Sequence, residues 1–286
     1  MPPSGPGVRV IRVGPVKRRM VITGGSGSLG RRLVARASAQ GWDVTGTYLS
    51  TPSPTATVHL DIRDPAQVRD VLTRLRPDAV VHAAAGRDRN DWLSTADGAG
   101  HVAAAASTIR LVHVSSDAIF AGSTEEYDED ALPDPVYRYG AAKAAAETAV
   151  RAAAPDSTIV RTSLILGDGN GAHEILTRDL IAGRAQGALF TDEIRKPVHV
   201  DDLADALIEL AGTDHHGILN VAGPQAVSRY DLGVLVARRE GLDPALIPSA
   251  SLAGLGLRRP ADVRLALGRA QKLLSTHLRP VSEFLA

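Results

Sequence analysis

VITGGSGSLGRR, residues 21–32, decides how the rest of the chain is read. An apolar run leads into it, and Gly24, Gly27 and Gly30 are spaced by three. A β-strand that turns here into a helix gives each glycine a separate task. Gly24 allows a tight turn, Gly27 lets backbone approach a pyrophosphate, and Gly30 lets the new helix pack closely on the sheet. The helix start, from Ser28 and Leu29, then offers unpaired N–H groups and a partial positive charge to phosphates. The spacing is G-x-x-G-x-x-G rather than G-x-G-x-x-G, and no G-K-[ST] follows, so it is not a P-loop. Taken alone, the loop stays open to a second reading as an ordinary glycine-rich turn.

Outward from the loop, apolar runs alternate with helical periodicity. MVIT (20–23) predicts a strand, residues 29–40 a helix closed by Gly41, and WDVTGTYL (42–49) and ATVHL (56–60) two more strands. DPAQVRDVLTRLR (64–76) starts with Asp64 as N-cap and Pro65 at the first helical position. Strands at 78–84, 109–116 and 157–166 alternate with helices at about 97–106 and 137–154. This βαβα order predicts an α/β fold with a doubly wound parallel sheet covered on both faces. Past Gly167 the pattern loosens. A short strand and helix at 196–210, a strand at 217–223, a helix at 228–240 capped by Ser228 and one last helix suggest a small cap. The expected division is a loose tail at 1–17, a nucleotide-binding domain at 18–165, and a cap at 166–286 partly interleaved with the sheet.

Composition narrows the function. The 286 residues are 44% apolar, enough for a sizeable core. Lys plus Arg equals Asp plus Glu at 32 each, which argues against nucleic acid or an anionic membrane as main partner. With no cysteine, disulfides, thiolate metal sites and a cysteine nucleophile are excluded. No apolar run reaches the roughly 18 residues that cross a bilayer. The N-terminus lacks the apolar segment of a secretory signal, so a cytoplasmic location is expected. His215 and His216 are adjacent and diverge, so no metal is assigned.

The second strand bears on which dinucleotide would bind. An acid at its end binds the 2′-hydroxyl of NAD and repels a 2′-phosphate. Here it ends TGTYLSTPS (45–53), without an acid, while Arg31 and Arg32 follow the last glycine. The reading favours NADP(H), with NAD(H) open, and both arginines have the alternative of solvated surface charge. Asp61, with Ile62 after it in HLDIRD, stands either at the adenine edge or as a turn residue.

The catalytic expectation rests on YRYGAAKAAAE, 137–147. Tyr139 and Lys143 lie four apart on a predicted helix, on one face. Upstream, Ser115 and Ser116 end a buried strand, and strand ends are where sites form in parallel sheets. A hydroxyl, a phenol and an ammonium in this order suit carbonyl reduction. The phenol gives a proton to the developing alkoxide, and a nearby ammonium lowers the phenol pKa from about 10.

With these motifs in order, the chain resembles the extended short-chain dehydrogenase/reductases, in their dTDP-4-dehydrorhamnose reductase-like, sugar-nucleotide-binding branch. The resemblance is carried by TGGSGSLG (23–30), LDIRD (60–64), LRPDAVVHAAA (75–85), VHVSSDAIFAG (112–122), YGAAKAAAE (139–147), IVRTSLILG (159–167), DDLA (201–204) and GILNVAGPQAVSRYDLG (217–233). It implies a Rossmann-type sheet with a C-terminal substrate-binding cap, and a hydride transferred from the nicotinamide to a keto group, C4 of a nucleotide-linked deoxysugar. By the same resemblance Tyr139 is the general acid, Lys143 holds the nicotinamide ribose, and Ser116 binds the substrate carbonyl. Asp117 follows it as in relatives, and Ala83, Ala84 and Ala85 line the cofactor path. The helix carrying Tyr139 often contributes to dimers in the superfamily, which implies a homodimer.

Departures bear on the substrate. Ala118 stands where relatives often carry an aromatic residue, removing bulk beside the pocket. GRDRNDW (86–92) departs from the usual run, and Thr95 or a neighbour stands where an Asn commonly holds a proton-relay water. Arg87, Arg89 and Trp92 follow a strand end and could meet a phosphate, a carboxylate or a ring, or form a solvated loop. Arg195 falls where relatives contact the nucleotide part of the substrate, with surface charge as the alternative. EEYDED (125–130) reads as a solvated loop that could flank the substrate entrance. Two rival functions share the fold: a non-catalytic NADP-binding regulatory subunit like that of methionine adenosyltransferase, and a sugar-nucleotide epimerase or dehydratase. Only Asp117 is available as the extra acid a dehydratase needs.

Overall fold

The structure is a computed structural model and describes residues 17–86, 88, 90–124, 126–257 and 259–286. Its centre is a parallel sheet of β1 (Arg19–Thr23), β2 (Asp43–Tyr48), β3 (Val58–His59), β4 (Ala79–His82), β5 (Arg110–Val114), β6 (Thr158–Arg161) and β7 (Gly217–Asn220). The spatial order is β3-β2-β1-β4-β5-β6-β7. The winding reverses between β1 and β4, which opens a crevice at the strands' carboxyl ends. Strands β1, β4 and β5 are almost wholly buried because helices cover both faces.

One face packs on α1 (Ser28–Ala39) and α6 (Val200–Ala211) through Met20, Ile22, Val81, Val112 and Leu33. The other packs on α2 (Pro65–Leu75), α3 (Gly98–Ala105) and α4 (Arg138–Ala153) through Val21, Val80, Leu111, Ile159 and Val102. Alternate residues of one strand therefore serve opposite cores. The predicted caps are present: Asp64 accepts from the N–H groups of Ala66 and Gln67, and Ser228 from that of Asp231.

Residues beyond 165 serve two layers. α6 and β7 complete the central sheet. α5 (Ala172–Ile181) and α7 (Arg229–Arg239) form a smaller layer, with Leu180, Leu189, Ala237 and Ile247 between them. Outside the central sheet the described residues form four two-stranded pairings, among them Ile194–Arg195 antiparallel to Val227–Ser228.

Three local expectations need correction. The run 157–166 is not one strand: it leaves the sheet after Arg161, and Ile165–Leu166 pairs with Val198–His199 instead. The helix expected at 97–106 opens as a π-helical turn, Leu93–Asp97. The last thirty residues form two short helices, Gly268–Leu273 and Val281–Phe284, not one. Among the described residues no helix is long and apolar enough to cross a membrane.

The glycine loop turns as its spacing suggests. Gly24 adopts φ +73°, a region costly for a side chain, and its carbonyl accepts from Gly27 N–H at 2.9 Å. A Cβ on Gly30 would overlap the Gly24 carbonyl, so α1 approaches the turn only because Gly30 has none. A Cβ on Gly27 would meet that oxygen at 3.3 Å, a milder contact. Gly30→Ala is therefore expected to lower unfolding free energy by about 1–3 kcal/mol, and Gly27→Ala by well under half of that. Urea denaturation of both variants checks the order, and equal losses would contradict the packing argument.

Candidate active site

Two cavities meet at the glycine loop. A cleft of about 640 Å³ runs over the β1–β4 crevice. Its walls include Gly24, Gly27, Ile62 and the small side chains of Ala83, Ala84 and Ala85, and its far end is the Ser50–Ser53 segment after β2. A second pocket of about 400 Å³ is lined by Ser28, Leu29, Ser116, Asp117, Ala118 and Tyr139, and closed by residues of the smaller layer. The first turn of α1 thus borders the pocket that holds the predicted triad's hydroxyls. α1 begins at Gly27 without a side-chain cap, leaving its first N–H groups to a ligand or solvent.

The triad is assembled by β5, the turn after it and α4. Ser116 caps the short 3-10 turn Asp117–Ile119, its Oγ accepting from Ala118 N–H at 3.2 Å. Helix α4 comes onto this turn at Gly140, where a Cβ would overlap the Ala118 carbonyl. That close approach sets the neighbouring Tyr139, half-buried, on the pocket wall. Lys143 lies one turn further along, buried, with Nζ donating to the Val114 carbonyl at 3.0 Å. Burial pushes its ammonium down to about 8, against the opposing charge of Glu147.

Glu147, a turn beyond Lys143, anchors the helix. Its carboxylate accepts from Ser115 Oγ at 2.6 Å, and from Arg161 Nε and Nη2 at 3.1 and 2.9 Å. Arg161 is 1% exposed, also donates to the carbonyls of Glu129 and Ala131, and stacks over Phe120. Neither Glu147 nor Arg161 was singled out from sequence. Their signal was a Glu on the buried face of α4, four after Lys143, and an Arg at the end of an apolar strand.

Several expected site residues are placed differently. Arg32 forks onto Asp201 of α6, and Arg36 onto Asp205, so Arg32 is spent on helix packing. Arg31 stays exposed, with Nη1 donating to the Ser26 carbonyl on the cleft rim at 2.9 Å. Asp61 turns its carboxylate onto Arg63, whose hydrogen bonds and charge hold it below the usual carboxylate range. The cleft wall is made by its neighbours Leu60 and Ile62. Arg195 borders the pocket, but its guanidinium donates to the carbonyls of Ile194, Pro260 and Ala261. It staples a loop and lies 3.7 Å from Asp117. Asp117 accepts from Ser163 Oγ at 2.6 Å, and burial raises its pKa against the opposing Arg195 charge. Arg87 and Arg89 lie outside the described residues. EEYDED is only partly solvated: Tyr127 and Glu129 are buried, with Glu129 accepting from Asn220 N–H. Ser28 Oγ donates to Asp168 at 3.2 Å. His173, Arg229 and Arg259 complete the pocket from distant parts of the chain, with no sequence spacing to reveal them.

The Glu147–Arg161 pair yields a stability prediction. Glu147→Gln keeps the shape but strands a buried guanidinium, and is expected to cost about 3–5 kcal/mol in urea denaturation. The double replacement Glu147→Leu with Arg161→Met removes both charges and should recover most of that. A loss below about 1 kcal/mol for Glu147→Gln would show that the pair carries no such weight.

The profile of the family described as the RmlD substrate binding domain matches residues 18–286. The chain is 32% identical over 274 residues to the dTDP-4-dehydrorhamnose reductase of Mycobacterium tuberculosis (strain CDC 1551 / Oshkosh), covering 90% of this chain and 87% of the relative. It is also similar to the methionine adenosyltransferase 2 subunit beta of Danio rerio, at 26% over 276 residues, 90% of this chain and 85% of that one. Among solved structures, dTDP-4-dehydrorhamnose reductase from Bacillus anthracis str. Ames in complex with NADP superposes with a TM-score of 0.81 at 25% identity, covering 94% of this chain and 97% of that one. The chain belongs to the RmlD substrate binding domain family, within the extended short-chain dehydrogenases/reductases.

Proposed function

We propose that the chain is an NADPH-dependent reductase acting on the C4 keto group of a nucleotide-linked deoxysugar, with Tyr139 as general acid. The observation that carries this reading is the shared pocket: Ser28 and Leu29, at the start of α1, line the same cavity as Ser116 and Tyr139. Similarity to the mycobacterial reductase and to the NADP-bound bacillary structure supports it.

The chain's own residues fit a dinucleotide. The turn excludes side chains at Gly24 and Gly30, α1 starts uncapped, and Ala83 to Ala85 keep the cleft wall low. Gly24, Gly27, Ile62 and the alanines would hold it, with Ser28 and Leu29 at its turn toward the pocket. The end of β2 offers Ser50, Thr51 and Ser53 and no carboxylate, and with Arg31 near Ser26 this favours a 2′-phosphate. When bound, NADPH supplies the hydride.

The protein's part is orientation and proton transfer. Ser116 Oγ donates to the keto oxygen and polarises it. Tyr139 passes its phenolic proton to the developing alkoxide, so the O–H bond of the phenol breaks as that of the product alcohol forms. The Lys143 ammonium stabilises the phenolate and lowers the cost of that loss. Arg229 and Arg259, the latter also paired with Glu193, line the pocket and suit the diphosphate of a sugar nucleotide. The resemblance to a methionine adenosyltransferase subunit keeps one second reading, a regulatory subunit that binds the cofactor without turnover.

Two measurements check the proposal. With NADPH and a dTDP-4-keto-6-deoxy sugar, Tyr139→Phe is expected to lose about 10²–10⁴-fold in turnover while keeping NADPH affinity. Near-full turnover would remove Tyr139 as the acid, and NADPH binding without oxidation by the wild type would favour the regulatory reading. The pH profile follows from Lys143, which is charged below about 8 and neutral above. Turnover should therefore fall as pH rises through that value, and a profile flat to well above it would contradict the role of the ammonium.

A further inference from the structure

The ends of β4 and β5 carry two histidines that the proposed chemistry leaves unused. His82 and His113 are register partners on neighbouring strands, and their rings stack with centroids 5.1 Å apart. Both face α4, because His113 alternates in step with Leu111 and Ser115, and His82 with Val80. Each is 1% exposed. Of the four ring nitrogens, His82 Nδ1 meets Thr23 Oγ1 at 2.7 Å. His82 Nε2 and both nitrogens of His113 have no hydrogen-bond partner among the described residues.

Lys143 lies near this pair: its Nζ bonds the carbonyl of Val114, the residue after His113, and its charge acts on both rings. Burial first holds both imidazoles far below their usual range, His82 down to about 3; the Lys143 charge adds to it at His82, and His82 and then Lys143 add to it at His113. Both rings are therefore neutral, each with one N–H and one bare nitrogen. A buried polar atom left unpaired costs about 1–3 kcal/mol. Three of them side by side are satisfied in proteins by internal water, which needs two to four polar partners.

We propose that His113, backed by His82, holds an internal water against the Lys143 ammonium and so acts as a positioning residue for that lysine. The other groups facing Lys143 leave this task open. On α4, Glu147 is already engaged by Ser115 of β5 and Arg161 of β6, and Tyr139 is directed to the pocket. One of the three N–H donors of Lys143 is taken by Val114. The water supplies an acceptor to another and donates in turn to the bare nitrogen of His113. Only the consequence for turnover rests on the proposed function, because the site itself exists in the ligand-free chain.

The test reads Lys143 directly and without catalysis. The chain has four lysines, so ¹³Cε-lysine-labelled protein gives a resolvable NMR titration, with Lys143 assigned by Lys143→Arg. In the wild type Lys143 is expected to titrate near 8. In His113→Leu, which removes the water's anchor, it should titrate about one pH unit lower, because the ammonium loses a polar contact and keeps only the Val114 carbonyl there. His113→Gln, which restores a donor and an acceptor, should bring it back. An unchanged titration in His113→Leu overturns the proposal, whatever the reductase assay gives. Should His113→Leu fail to fold, a high-resolution crystal structure of the wild-type chain decides. Ordered water within hydrogen-bond reach of His113 and Lys143 supports the proposal, and a dry gap there overturns it.

Discussion

The fork of Arg161 on Glu147 is the contact on which the site depends. It joins the end of β6 to the middle of α4, and Ser115 ties the same carboxylate to the end of β5. Burying two charges costs several kcal/mol each, and attraction offsets this only when every remaining donor is also satisfied. Here the guanidinium has the Glu147 fork, two backbone carbonyls and a ring beneath it. The result is one defined position and rotation for α4. Because Lys143 and Tyr139 lie one and two turns before Glu147 on that helix, their placement follows from a contact that touches no ligand.

The same face of the sheet shows why the polar groups sit where they do. Along β1, β4, β5 and β6 the interior under α2, α3 and α4 is apolar at Val21, Val80, Leu111 and Ile159. Two residues later on each strand it becomes polar: Thr23, His82, His113 and Arg161. The switch runs across four adjacent strands at their carboxyl ends, the edge where an open α/β sheet binds ligands. Stability is concentrated below that line and chemistry above it. Gly24, Gly30 and Gly140 belong to the upper side, each removing a side chain where two backbone segments must touch.

What could be read from sequence was what local spacing encodes. The order of strands and helices, the Asp64 and Ser228 caps, the glycine turn and the four-residue step from Tyr139 to Lys143 all depend on neighbours within a turn or two. What could not be read depends on chain segments that meet only after folding. Arg32 was open to a phosphate role until α6 brought Asp201 against it from 169 residues away. Arg195 turned from a ligand contact into a staple because the 260–261 carbonyls close over it. Tyr127 and Glu129 looked solvated within an acidic run, yet Arg264–Leu265 pairs with that segment and buries them. The pocket arginines Arg229 and Arg259 have no local signature for the same reason.

As an NADPH-dependent reductase, the function proposed above, this chain would move a hydride from NADPH to a sugar carbon. Turnover of the purified full chain with NADPH deuterated at nicotinamide C4 and a dTDP-4-keto-6-deoxy sugar, followed by mass spectrometry, tests it most directly. One deuterium at C4 of the product sugar is expected for each NADPH oxidised. Sugar recovered without deuterium and with NADPH unspent, despite tight cofactor binding, would contradict it.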